Sequence, residues 1–259
     1  MKQPRPLLGC TSMVLWGRTL AAAAAALAAA GFQSIEIWAE HLKKSGEPLS
    51  EVAAALRSQG LRCTLHCPII DVNICSTNEA IAETSRRLYL EALEAARQLE
   101  AQVFVFHAGN LFSTFDPVDR YWRELERFLG ELAGRNAGGP LIAVENMEID
   151  KPQEVVKSAP EIRRLLGAHG QVGLGVCWDT THLINLDNNR RFLEEIPRVD
   201  HVHLSDARFT EGAPARKHLR LGQGNLDLAG LFAHPRAREA RIVSLETVLI
   251  EPTVAELTE

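Results

Sequence analysis

Eight short apolar runs spread along the chain constrain its fold more than any other feature. They are PLLGCTSMVL (6–15), SIEIW (34–38), RCTLH (62–66), VFVFH (103–107), LIAVE (141–145), VGLGVCWD (172–179), VDHVHL (199–204) and RIVSLE (241–246). Each is nearly continuous in apolar residues rather than alternating, the pattern of strands covered on both faces, as in parallel sheets. Helical patterns lie between them. The Ala-rich stretch 19–32 ends at Gly31, and 50–60 opens on a capping-box-like Ser50. Residues 78–101 carry apolar positions at helical spacing, and 116–135 enters through Asp116 and Pro117. Shorter patterns occupy 159–170, 189–196 and 227–234. Eight strands alternating with helices predict an α/β protein, a single (β/α)8 TIM barrel. No GxGxxG follows the first strand, so no nucleotide cofactor is expected, and the Gly-rich 222–227 reads as a loop.

At 259 residues, with no low-complexity linker or break in composition, the whole of 1–259 reads as one domain. A net charge of −5 argues against bulk polyanion binding. The five cysteines form no CxxC pair and read as reduced, buried thiols of a cytoplasmic protein. The amino-terminal segment has early positive charges and Ala-x-Ala sites, as a signal peptide would. Arg18 interrupts it, however, and removing it would delete a strand and a helix that the barrel needs. No uncharged apolar stretch reaches the ~18 residues of a membrane span.

Six of the eight strands carry a metal-competent side chain at or near the end: His66, His107, Glu145, Asp179, His203 and Glu246. His182 and His218 sit just beyond strand ends. One such residue alone caps a helix as readily as it serves a site. In a barrel, however, all C-terminal strand ends meet around one mouth, so the six should converge. Carboxylates with imidazoles suit Zn, Mn, Co or Fe(II), and a carboxylate-rich subset suits Mn or Mg. His201 and His203 share one strand face, and His203 lies nearer the mouth.

The ordered motifs LHCPIIDVNICSTN (65–78), VFHAG (105–109), AVENM (143–147), CWDTTHL (177–183), HVHLSD (201–206) and SLETV (244–248) resemble those of the xylose-isomerase-like barrels. That superfamily holds sugar isomerases and epimerases and the type IV apurinic endonucleases. The resemblance implies a principal divalent metal (Mn, Co, Mg or Zn) on Glu145, Asp179, His203 and Glu246. It implies Glu145 and Glu246 as acid-base carboxylates beside a carbonyl. His66, His107, His182, Arg216 and His218 would contact a small carbohydrate, with His66 and His107 alternatively holding a second metal with Glu145. In the endonuclease branch a third zinc would use His182, His218 and an aspartate two residues before the latter, where this chain has Arg216. That branch also has a tyrosine where Ile69 stands. Arg216, with Arg208, Lys217 and Arg220 nearby, could instead take a third cation's charge role or bind an anionic substrate group. Trp16 and Trp38 read as pocket walls or as core.

The expectation is therefore a metal-dependent isomerase or epimerase of a sugar, sugar phosphate or polyol. A zinc-dependent phosphodiester hydrolase is the alternative, and a non-catalytic barrel a third. Arg216, Ile69 and the acidic charge weigh against nucleic acid as a partner. No membrane partner is expected, and a homo-oligomer is left open.

Overall fold

The computed structural model describes residues 5–169 and 173–247. Gly170, Val172 at the head of the sixth apolar run, and both ends of the 1–259 domain lie outside them. Seven runs form β1 (Leu7–Thr11), β2 (Ser34–Trp38), β3 (Arg62–His66), β4 (Val103–Phe106), β5 (Leu141–Glu145), β6 (Leu174–Asp179) and β7 (His201–Leu204). Outside the barrel, β8 (Asp206–Arg208) and β9 (Arg216–Leu219) pair antiparallel, and the eighth run is β10 (Ile242–Leu245). Around the barrel the order is β1-β10-β7-β6-β5-β4-β3-β2, every pair parallel. Closure runs through β1, which pairs Leu7 with Ile242 on one side and Gly9 with Ser34 on the other. All residues of β4, β6 and β10 are buried, which is why the runs lack alternation.

The helices are α1 (Leu20–Ala29), α2 (Ala39–Ser45), α3 (Leu49–Gln59), α4 (Glu79–Gln98), α5 (Val118–Arg135), α6 (Ala159–His169), α7 (Leu186–Glu195) and α8 (Leu228–Ala233). In α5, Tyr121, Trp122, Leu125, Phe128, Leu129 and Leu132 make one buried stripe at helical spacing. The amino end of α1 is satisfied twice over: Thr19 Oγ1 accepts from the Ala22 amide, and the Glu47 carboxylate from Leu20 and Ala21.

Four local expectations are corrected. Ser50 is not a cap, because α3 begins at Leu49 behind Pro48. The helix α2, of seven residues, has no counterpart in the sequence reading. Asn185 caps α7, whose start at Leu186 precedes the expected one by three residues. The basic segment after β7 is a hairpin rather than an open loop. Buried Asp206 organises it by accepting from the amides of Ala207, Gly222, Gly224 and Leu226 at 2.7–3.4 Å. A Cβ at Gly224 would fall 2.1 Å from Asp206 Oδ1, so this turn requires glycine. All five cysteines are buried and free, and among the described residues no helix is long and apolar enough to cross a membrane.

Candidate metal centre

Barrel closure brings the six strand-end residues together. His66, Glu145, Asp179 and His203 stand on β3, β5, β6 and β7, while His107 and Glu246 directly follow β4 and β10. Glu145 is the hub. Its Oε2 lies 3.0 Å from His107 Nε2, 3.3 Å from His203 Nδ1 and 3.7 Å from His66 Nε2, and its Oε1 lies 3.4 Å from His182 Nδ1. Glu246 Oε2 approaches His203 Nδ1 to 2.8 Å.

The imidazoles are oriented from behind. His66 Nδ1 and His182 Nδ1 each sit 2.8 Å from a backbone carbonyl, of Cys67 and Asn146 respectively. A carbonyl only accepts, so these nitrogens carry the proton and donate, leaving each Nε2 for the mouth. His203 is turned the other way: Nε2 lies 2.8 Å from Glu36 Oε1 and Nδ1 faces Glu145 and Glu246. Histidines that ligate metals have this arrangement, one nitrogen tied to an acceptor and the other presented.

Asp179 divides its carboxylate in a similar way. Oδ1 accepts from the Thr181 amide and hydroxyl and from the His182 amide, whereas Oδ2 is buried with no hydrogen-bond partner. Glu246 Oε2, Glu36 Oε1 and both ring nitrogens of His203 are also buried and not aligned to hydrogen-bond. Ligand atoms of Glu145, Asp179 and His203 lie within 4.8 Å of one another, close to the spacing of donors that share an ion at about 2.0–2.2 Å. The residues fit a divalent cation on hard oxygens and one imidazole. Four further groups meet the same spacing: His66 with His107 and Glu145, Asp179 with His182 and His218, Glu36 with His66 and His203, and Cys177 with His201 and His203.

In the ion-free chain, protons supply the balancing charge. Burial works to raise Glu246, but His203 outweighs it and holds the carboxyl down to about 2. Burial likewise opposes ionisation of Glu145, and His203 and His107 hold it well below the carboxylate range. Burial disfavours imidazolium at His203 and His66, yet Cys177 with the carboxylates of Glu36, Glu246 and Glu145 raises the first, and the Cys67 side chain with Glu145 raises the second, well above the usual histidine range. His107 goes the other way, lowered chiefly by burial.

Above these groups opens a pocket of 390 Å³. Trp38, Tyr89 and Met147 form its apolar wall, Trp38 stacking on His66 at 4.6 Å. His107, His182, His218 and Glu246 line it from below, while Glu148, Lys151 and Glu154 form a rim. Ile69 also lines it. His218 is held in the left-handed region at φ +52°, 5.3 Å from the His182 ring. Such backbone conformations cluster at functional sites.

The structure does not bring Arg216 to this pocket. It lies exposed at the outer end of the hairpin, opposite Arg208, in a separate surface groove. Lys217 points inward but is already paired with Glu148 and Asp150. Trp16 is also elsewhere, under Lys44 and beside His41. One central residue was not expected: Glu36, in the middle of β2, lies between His201 and His203. Its only sequence signal is a charge inside the apolar run SIEIW.

The family described as xylose isomerase-like TIM barrel matches this chain over residues 24–257. A probable endonuclease 4 of Mycobacterium ulcerans (strain Agy99) is 26% identical over 204 residues, covering 74% of this chain and 76% of that protein. Among solved structures, a D-tagatose 3-epimerase-like protein superposes with a TM-score of 0.78 at 19% identity, covering 96% of this chain and 93% of that one. A 3-keto-D-glucoside 4-epimerase from E. coli gives 0.78 at 18% identity, covering 98% and 96%.

Proposed function

We infer, because this chain belongs to the xylose isomerase-like TIM barrel family, that it is a divalent-metal-dependent isomerase or epimerase of a small polyhydroxylated carbonyl compound. The carrying observation is the floor of the pocket, where Glu145, Asp179, His203 and Glu246 converge beneath a chamber of small-molecule size. A cation held by these four would act as a Lewis acid on a carbonyl oxygen and offset the charge left when the neighbouring carbon loses its proton. The chain's own groups do the rest. Glu246, ionised at neutral pH and open to the pocket, takes the proton from that carbon. Returning it to the adjacent carbon isomerises the substrate. Inverting the centre instead requires a proton delivered from the opposite face by Glu145, which is ionised in the ion-free chain and must first take that proton from solvent. His107, His182 and His218 hydrogen-bond substrate hydroxyls, and Trp38 lies flat against the chamber and excludes water.

The rim favours a small substrate over a polynucleotide. Glu148 and Glu154 stand there with Lys151, and Lys217 and Lys151 are both engaged by Glu148. Phosphate backbones are bound by cations free to replace counterions, and this rim presents carboxylates. A specific observation supports the alternative, a zinc-dependent phosphodiester hydrolase. His66 with His107 and Glu145, and Asp179 with His182 and His218, could hold additional ions beside the first, and the Mycobacterium ulcerans relative named above is a probable endonuclease 4. Clustered zinc ions can activate water for in-line displacement.

Elemental analysis of protein purified without chelators, followed by assays on ketoses and on abasic DNA, separates the two readings. About one Mn, Co or Mg per chain with proton exchange into a ketose supports the isomerase. Two or more Zn with DNA cleavage, and affinity falling steeply with salt, overturns it. In the first case Glu246→Gln lowers turnover by ~10² to 10⁴, the worth of a positioned proton carrier. Near-normal turnover with metal bound would remove Glu246 from that role.

A further inference from the structure

Glu36 is fully buried in the barrel interior, and it reaches across from β2 to β7 past β1 and β10. An ionised carboxylate placed there is costly unless it is paired, and its partners among the described residues can be named. Oε2 lies 2.6 Å from His201 Nε2 and accepts from Thr64 Oγ1 at 3.1 Å. Oε1 lies 2.8 Å from His203 Nε2, in ion-pair contact but not aligned as a hydrogen bond. Glu36 does not line the pocket and so does not meet a substrate there. What it does meet is the rear nitrogen of the one imidazole among the four principal ligand residues.

We propose that Glu36 is a positioning residue: its carboxylate keeps the proton on His203 Nε2 and thereby leaves Nδ1, the nitrogen facing Glu145 and Glu246, free for the cation. Glu36 acts within the metal centre inferred above, and its role depends on that reading. The geometry leaves His203 little alternative. Its ring must present one nitrogen to the mouth and one to the interior, and the interior nitrogen faces a carboxylate, which only accepts. The opposite tautomer would set a lone pair against Glu36 and a proton against the cation. His66 and His182 obtain the same lock from backbone carbonyls. A backbone carbonyl cannot be removed by substitution, whereas a side-chain lock can, so His203 is the imidazole whose orientation can be tested. His201 and Thr64 hold Glu36 from its other side through Oε2.

Glu36→Gln keeps the volume but offers one acceptor oxygen where two imidazoles now need one each. The first measurement is titration of chelator-stripped protein with Mn²⁺ and with Co²⁺, where the variant should bind about 10- to 100-fold more weakly, as outer-shell changes do. The second is nitrogen NMR of histidine-labelled, zinc-loaded wild-type protein, in which His203 should show a protonated Nε2 and a metal-bound Nδ1. Equal affinity in a folded Glu36→Gln protein overturns the proposal, and so does an unprotonated Nε2 in the wild type. The wild-type spectrum needs no variant, so poor folding of Glu36→Gln leaves the test intact. If the wild type binds no divalent cation, the metal-centre reading fails by itself. The Nε2 proton is then read in ion-free protein at alkaline pH, where its presence still upholds the lock and its absence removes it.

Discussion

Asp179 illustrates how a single side chain can record a missing partner. Three donors converge on Oδ1 while Oδ2 is buried without a hydrogen bond, its neighbour His182 Nε2 standing 3.9 Å away, and a buried unsatisfied carboxylate oxygen is costly enough that it demands an explanation. A cation supplies one. Asp179→Asn retains the shape and the Oδ1 contacts but replaces the charged oxygen with an amide group. We expect divalent-ion affinity to fall more than about 100-fold, beyond the range of outer-shell changes, with the unfolding midpoint of the ion-free protein little altered. Calorimetric titration of wild type and variant checks both. At this scale the sequence was informative wherever a residue ended a strand: Asp179, His203 and the others were found because barrel topology alone says that strand ends meet. Glu36 was missed because one charge within an apolar run has no period, and its histidine partners stand on β7, far away in sequence. Arg216 was placed near the site by its neighbour His218, but two residues further out on a hairpin is enough to face another surface.

The hairpin of β8 and β9 shows the same limit for an element. Its amides at Ala207, Gly222, Gly224 and Leu226 all close on one buried carboxylate, so its shape is set by Asp206 and not by strand propensity in ARKHLRLGQG. The strands themselves were legible because burial on both faces writes continuous apolar runs. The seven-residue α2 was not, being too short for a periodic stripe. Removing the organiser should loosen this element without unfolding the barrel. In Asp206→Ala four amides lose their acceptor, those of buried Ala207 and Leu226 at a cost of about 1–3 kcal/mol each where they stay buried; opening the segment to water is the cheaper response. We therefore expect faster hydrogen exchange at Gly222 and Gly224, confined to residues 206–226, and reduced turnover because His218 loses its place over the mouth. Exchange spreading equally through the barrel strands would instead make Asp206 a determinant of global stability.

For the molecule as a whole, the histidines and carboxylates packed into one barrel mouth make stability depend jointly on pH and on a bound cation. Glu246 titrates near 2 when folded and Glu145 also lies well below an ordinary carboxyl. The stability they contribute is present above about pH 4.3, the unfolded value, and is lost as pH falls toward 2. His203 and His66 are displaced upward, so their contribution is complete below about pH 6.5 and disappears as pH rises through their folded values. Ion-free protein is thus held together at its mouth by imidazolium, and alkali leaves the buried carboxylates without compensation. A divalent cation replaces that charge and must displace the Nδ1 proton of His203, so it binds more tightly as pH rises. Both effects have the same sign. The gap in melting temperature between metal-loaded and chelator-treated protein should therefore widen from pH 6 to pH 8. With cation at about 100 times its dissociation constant the stabilisation is roughly 2.7 kcal/mol, or about 5–10 °C at roughly 2–4 °C per kcal/mol for a chain of this size. Scanning calorimetry at both pH values, with and without chelator, measures the gap. A gap that narrows toward pH 8 would mean that the imidazoles at the mouth are not exchanging protons for metal.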